Sequence, residues 1–146
     1  MLVAAQLLAE DKMAKFALKK ENSQDIGFAS ACLICGAVKL PEFKKWAEFV
    51  VIESDDDIPY YIFEIMDIKE KFDYTLRMRE IVGFQPGYSN SDNDVHSLDG
   101  IAFLRFADHK SDFSNKEKAI DCLNKNNKVK KLFKKNFPFI EINFDN

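Results

Sequence analysis

No stretch of this chain is apolar over the roughly 18 residues that a bilayer-spanning helix needs. Glycine is scarce, five residues in 146, and none sits in a glycine-rich phosphate loop, which removes the nucleotide-binding motifs built on such loops. Histidine occurs twice, as His96 and His109, and neither lies in a Ser-His-Asp or Cys-His arrangement, so nucleophilic catalysis has little to stand on. The three cysteines are an odd number, unsuited to a disulfide framework. The first eight residues are apolar but carry no basic n-region, and Glu10 and Asp11 follow at once, so a secretory signal is not expected. Together these features place the chain in a reducing, cytoplasmic setting.

What the chain does have is apolar mass and charge. Hydrophobic residues make up 47% of it, with 14 phenylalanines, enough for a real core in one domain spanning residues 1–146. Twenty-one basic and 24 acidic residues leave a net charge of −3, but its distribution is uneven. Residues 116–135 hold eight lysines against Glu117 and Asp121, so this segment carries about +6 and the remainder about −9.

Apolar spacing predicts a mainly α protein, a single-domain bundle of about six or seven helices. Residues 2–19 read as the first helix, and Ser23 as the cap of the next, whose stripe is Ile26, Ala29, Leu33 and Ala37. Pro41 suits a first helical turn, followed by Phe43, Trp46, Ala47 and Val50. After the break at Ser54 to Asp57, the spacing of Ile65, Ile68, Phe72 and Leu76 predicts one helix running to a left-handed cap at Gly83. Gln85-Pro86-Gly87-Tyr88 is a turn, and Ser91 with Asp94 caps a helix carrying Val95, Leu98, Ala102, Phe106 and His109 on one face. Ser114 with Glu117 is a capping-box pattern, and residues 124–127 interrupt the helix it opens, before Val129, Leu132 and Phe133. At the end, Ile140, Ile142 and Phe144 alternate with polar residues. This predicts a short C-terminal β-strand or an extended tail on the helices; the one candidate partner strand is Tyr60 to Phe63, a segment the spacing assigns to helix.

Several constellations resemble chemistry and fall short of it. Cys32-Leu-Ile-Cys35 has redox or zinc spacing, yet it lies inside an apolar helical stretch and zinc would need two further ligands. Asp92-Asn-Asp94 opens like a calcium loop, but Ser97 occupies the glycine position and no glutamate follows at the twelfth. No metal or cofactor is expected. His96, beside Asp92, Asp94 and Asp99, is the more exposed of the two histidines by this reading, and His109 the one on an apolar face.

Two sets of surface residues suggest binding instead. Asp55, Asp56 and Asp57, and then Asp92 and Asp94, fall at loop-to-helix junctions with Tyr60 and Tyr88 close in sequence. Carboxylates steer a basic partner into encounter, and tyrosines provide contact area at low entropic cost. Helix capping accounts for one acid per junction, not for three in succession. The alternative surface is Lys125, Lys128, Lys130, Lys131, Lys134 and Lys135, which could follow a phosphate backbone. Its apolar side needs burial, however, and lysines opposite such a side also serve to keep a helix solvated.

The phrases DIPYYIFEIMDI (residues 57–68) and IVGFQPGYSNSDNDVHSLDGIAFLRF (residues 81–106), about a quarter of the chain, carry a family resemblance. The chain resembles the small bacterial immunity proteins that neutralise contact-dependent inhibition toxins, in particular a mainly helical, uncharacterised family among them. That resemblance implies a cytoplasmic, non-enzymatic protein that binds the toxic C-terminal domain of a cognate effector, often a nuclease, and blocks it stoichiometrically. The acidic and aromatic set above would then be the interface, and a nucleic-acid-binding module built on the lysines is the alternative. No membrane partner is expected.

Overall fold

The computed structural model describes residues 15–54, 57–89 and 91–144. Among these residues the chain forms eight helices and no strand: α1 (Gln24–Cys35), α2 (Leu40–Glu53), α3 (Tyr60–Met66), α4 (Lys71–Thr75), α5 (Met78–Val82), α6 (Asp92–Arg105), α7 (Lys116–Asn124) and α8 (Asn127–Asn136). None of them is long and apolar enough to cross a membrane.

α1 is the centre of the bundle and packs against α2, α4, α6 and α8. Its stripe is buried as the spacing predicts, with Ile26, Ala29 and Leu33 fully enclosed and Ala37 just beyond the helix. Gly36 ends α1 with φ of 89°, and Gly83 ends α5 with φ of 94°, both in the left-handed region that favours glycine.

The most consequential buried group is Asp25, which has no solvent exposure. Its Oδ2 accepts from the Ala17 backbone N–H at 2.7 Å and from Lys135 Nζ at 2.9 Å. Its Oδ1 accepts from Asn136 Nδ2 at 2.9 Å, and Asn136 Oδ1 accepts in turn from the Trp46 indole N–H at 2.9 Å. Asn136 and Trp46 are themselves fully buried. One network therefore ties α1, α2 and α8 to the segment that precedes α1.

That segment departs from expectation. Residues 15–19 are not helical, and the rest of the predicted first helix lies outside the described residues. Ala17 spends its N–H on Asp25 and its C=O on the amides of Asp25 and Ile26, so neither group is free for a helical turn. The chain then doubles back through a Lys19–Asn22 bridge.

The single helix expected over residues 59–83 is instead α3, α4 and α5. The chain bends at 67–70, Phe72 and Leu76 point outward at 67% and 79% exposure, and Tyr74 is buried in their place. The reason is tertiary: the Tyr74 hydroxyl shares a 2.8 Å hydrogen bond with Ser30 Oγ on α1 and its ring lies 4.9 Å from that of Phe43. Tyr61 anchors α3 in the same way, donating its hydroxyl to the Leu18 carbonyl.

α6 and α7 form the most extensive helix pair. Gly100 makes it possible, because a Cβ there would stand 2.5 Å from the Ala119 carbonyl oxygen. With α1 on another side, residues 96–102 of α6 are all buried, which a one-sided stripe does not anticipate. α7 is capped by Asn115, whose side chain accepts from the Lys118 amide at 2.8 Å, rather than by Ser114. Ser23 stands at the N-cap of α1 without a side-chain cap bond. Ser91 does cap α6, accepting from the Asp94 amide at 3.1 Å.

The C-terminal alternation produces no strand among the described residues. The partner segment Tyr60–Phe63 is taken up in α3, and residues 137–144 lie along the helices. Phe144 packs edge-on to Phe133 of α8, and Phe139 edge-on to Phe49 of α2.

Asn136→Ala should lower stability by about 3 kcal/mol, since it strips partners from a buried carboxylate and a buried indole N–H. Urea unfolding followed by circular dichroism measures this. A loss within about 0.5 kcal/mol, typical of surface sites, would show that the network contributes little.

Candidate partner-binding surfaces

The acidic and aromatic candidates separate into two places. Asp57 and Tyr60 flank the N-terminus of α3 and line an open groove of about 520 Å³, with Leu18, Lys19, Lys20 and Phe84 also in its lining. Tyr60 is 77% exposed. Pro59 precedes α3, and of the adjacent pair Tyr60 faces solvent while Tyr61 turns inward to donate to the Leu18 carbonyl. Asp55 and Asp56 lie outside the described residues. Asp92, Asp94 and Tyr88 do not line this groove.

At the N-terminus of α6, Asp92 is exposed while Asp94 is half-buried and engaged. Its Oδ1 accepts from Asn126 Nδ2 at 2.7 Å; Asn126 also donates to Ser97 Oγ and caps α8 by accepting from the Val129 amide. Burial pushes the Asp94 carboxyl up, but hydrogen bonds from Ser89, Asn126 and Ser91, with Lys128 nearby, outweigh it and hold the group below its ordinary range. Asp94 thus staples α6 to α8. Tyr88 is half-buried, edge-on to Phe28 at 5.1 Å, with Lys128 Nζ 5.5 Å from its ring centroid. Its hydroxyl is enclosed without a hydrogen-bond partner, and burial, with Asp94 and Cys32 adding to it, raises the phenol well above its ordinary value. The Tyr88 turn approaches α1 so closely that a Cβ on Gly27 would fall 2.3 Å from the Gly87 carbonyl oxygen.

The lysines of the alternative surface ring α8, which buries Val129, Leu132, Phe133 and Asn136 on its other side. Most of these ammonium groups have partners within the chain. Lys125 pairs with Asp121 at 3.2 Å, Lys130 donates to the Asn124 carbonyl at 2.8 Å, and Lys135 pairs with Asp25. Lys128 and Lys134 lie over the rings of Tyr88 and Phe144. Lys131 is exposed, beside a shallow depression of about 240 Å³ that Lys130 and Lys134 also line.

Of the two histidines, His96 departs from the environment expected of it, whereas His109 stays largely enclosed, edge-on to Phe103 at 4.6 Å. His96 is buried, at 7% exposure, against Phe113 with ring centroids 4.4 Å apart, because α6 has neighbours on more than one side. His109 lies beyond the end of α6 and meets Asp99 at 3.2 Å. Ser111 Oγ donates to the other oxygen of Asp99 at 2.7 Å. Serine and histidine both converge on the carboxylate, whereas a nucleophile relay needs the serine on the imidazole. The arrangement holds the loop after α6 in place.

Cys32 and Cys35 sit within α1 as free thiols. Burial pushes Cys32 well up and Cys35 up to about 12, and the Cys35 thiol donates to the Cys32 carbonyl at 3.6 Å. Among the described residues no three histidine, cysteine, aspartate or glutamate side chains are grouped so as to hold a metal ion.

The feature that sequence reasoning missed is the concentration of exposed apolar side chains on α3 and α4: Tyr60, Phe63, Phe72 and Leu76. The signal was present in the i, i+3, i+4, i+7 spacing of Tyr60, Phe63, Glu64 and Asp67, but the competing stripe Ile65, Ile68, Phe72, Leu76 obscured it. No protein family, curated protein or solved structure matches this chain.

Cys32 and Cys35 should resist alkylation in the folded protein at pH 8, because the reactive species is the thiolate. Mass spectrometry after a brief iodoacetamide pulse checks this. Full labelling of both before unfolding would contradict the raised pKa values.

Proposed function

We propose that this chain is an immunity protein: it binds the toxic domain of a cognate effector, of the basic nuclease kind, and neutralises it by stoichiometric occlusion in the cytoplasm, without catalysis or a cofactor. The observation that carries this reading is the α3 junction, where Asp57 and the 77%-exposed Tyr60 flank an open groove within DIPYYIFEIMDI, one of the two segments of the family resemblance. An exposed aromatic beside carboxylates is costly to leave bare and suits a protein partner of opposite charge. An interface of the standard size, about 1,600 Å² in total, is ample for tight inhibition.

The reading based on nucleic acid draws no comparable support. Five of its six lysines already face a carboxylate, a carbonyl or an aromatic ring within the chain. Counterion release on a phosphate backbone rewards cations that are free to reach it.

Co-expression with the C-terminal domain of the protein encoded immediately upstream tests the proposal. Cell survival together with a stable complex on co-purification is expected. Death of the cells without a complex, both chains being soluble, would overturn it.

A further inference from the structure

We infer that the docking surface is the outer face of α3 and α4, and that it receives a protein surface with an apolar centre and a positively charged rim. This rests on the immunity reading and moves its contact surface away from the N-terminus of α6.

The argument begins with helical spacing. Tyr60, Phe63, Glu64 and Asp67 recur at i, i+3, i+4 and i+7, so they share one side of α3, and all four are exposed. The opposite side of the same helix, Tyr61, Ile62 and Ile65, is buried. On α4, Phe72, Asp73 and Leu76 are outward while Tyr74 is inward. Among the described residues, four of the seven large exposed hydrophobics, Tyr60, Phe63, Phe72 and Leu76, fall on this segment, and Ile34 and Ile52 lie near the ends of α1 and α2. Ile34 is close to α4, since Lys71 Nζ donates to its carbonyl at 3.4 Å. Scattered single hydrophobics need no explanation, but Tyr60 and Phe63 stand together on one side of α3, and Phe72 and Leu76 follow on and just after α4.

Charge selects the occupant. Residues 57–76 contain five exposed carboxylates, Asp57, Glu64, Asp67, Glu70 and Asp73, against Lys69 and Lys71, while Lys19 and Lys20 line the groove beside Tyr60 and Arg77 and Arg79 follow α4. None of the five is in an ion pair among the described residues, and Lys71 is partly occupied by the Ile34 carbonyl. Aromatic anchors on a helix side that also carries unpaired carboxylates are complementary to a protein that presents lysine or arginine beside an apolar contact. Negative charge opposes docking on a nucleic acid or an anionic membrane. Asp94 and Tyr88, in contrast, are engaged by Asn126, Phe28 and Lys128, and have little left to offer a partner.

The same surface reads plainly in kinetic terms. Aromatic contacts at the centre of an interface set dissociation, and rim carboxylates set association and its salt dependence. The probe is the domain encoded immediately upstream, with binding followed by surface plasmon resonance against three variants of the full chain. Tyr60→Ala combined with Phe63→Ala should weaken binding by about 30-fold or more, mostly through faster dissociation. Glu64→Lys combined with Asp67→Lys should slow association by about tenfold at low salt, with the difference shrinking as salt rises. Asp92→Lys should leave both rates unchanged. All these side chains are exposed, and an unaltered thermal midpoint verifies that each variant is folded. Binding of wild type with no loss in the α3 variants would overturn this surface and leave the immunity reading standing. Failure of wild type itself to bind would overturn that reading and the surface with it.

Discussion

Asp25 is a carboxylate without solvent, and the way it is satisfied fixes most of the architecture. An unpaired charge in such a position costs several kcal/mol, so its partners cannot be optional. They come from two elements: the Ala17 amide before α1, and the Lys135 ammonium and Asn136 amide at the end of α8. Asn136 passes the constraint on to the Trp46 indole of α2. Since an asparagine side chain donates from one atom and accepts at the other, only one orientation satisfies both neighbours. The register of α1, α2 and α8 is thereby set at a single point, and apolar packing fills in around it.

With α1 held at the centre and α6 laid against α7 through Gly100, the segment between α2 and α6 fills its share of the core from several directions, with Ile62 and Ile65 of α3, Tyr74 of α4 and Val82 of α5 buried. It breaks into three short helices, pinned inward by the hydroxyls of Tyr61 and Tyr74. Each pin commits one side of a short helix to the bundle and leaves the other to solvent. Those outer sides carry Tyr60, Phe63 and Phe72 among carboxylates. The same packing that fills the core therefore leaves these side chains on the surface proposed to meet a partner.

Much of this architecture was legible in the sequence. The class, the buried stripes of α1 and α2, the glycine cap at Gly83 and the Ser91 cap follow from local chemistry, which tertiary contacts did not override. Where tertiary contacts won, local reading failed. Ala17 bonds to Asp25 instead of continuing a helix, and Tyr74 is drawn to Ser30 at the expense of Phe72 and Leu76. His96 lies under Phe113 because α6 has neighbours on more than one side, a fact that periodicity along one helix does not carry. Of the acidic and aromatic candidates, Asp57 and Tyr60 face outward, whereas Asp94 and Tyr88 join the internal contacts between α6, α8 and the turn before α6. Sequence proximity alone does not distinguish a carboxylate that caps and staples from one that waits for a partner.

Amide hydrogen exchange on the chain, alone and mixed with the C-terminal domain of the protein encoded immediately upstream, reads the proposed contact surface without a mutation. Slowed exchange is expected across residues 57–76 and the groove segments that face Tyr60, residues 18–21 and 81–84, with α6 and α8 unchanged. Slowing concentrated on α8 and its lysines, or no slowing anywhere at saturating concentration, would contradict that surface.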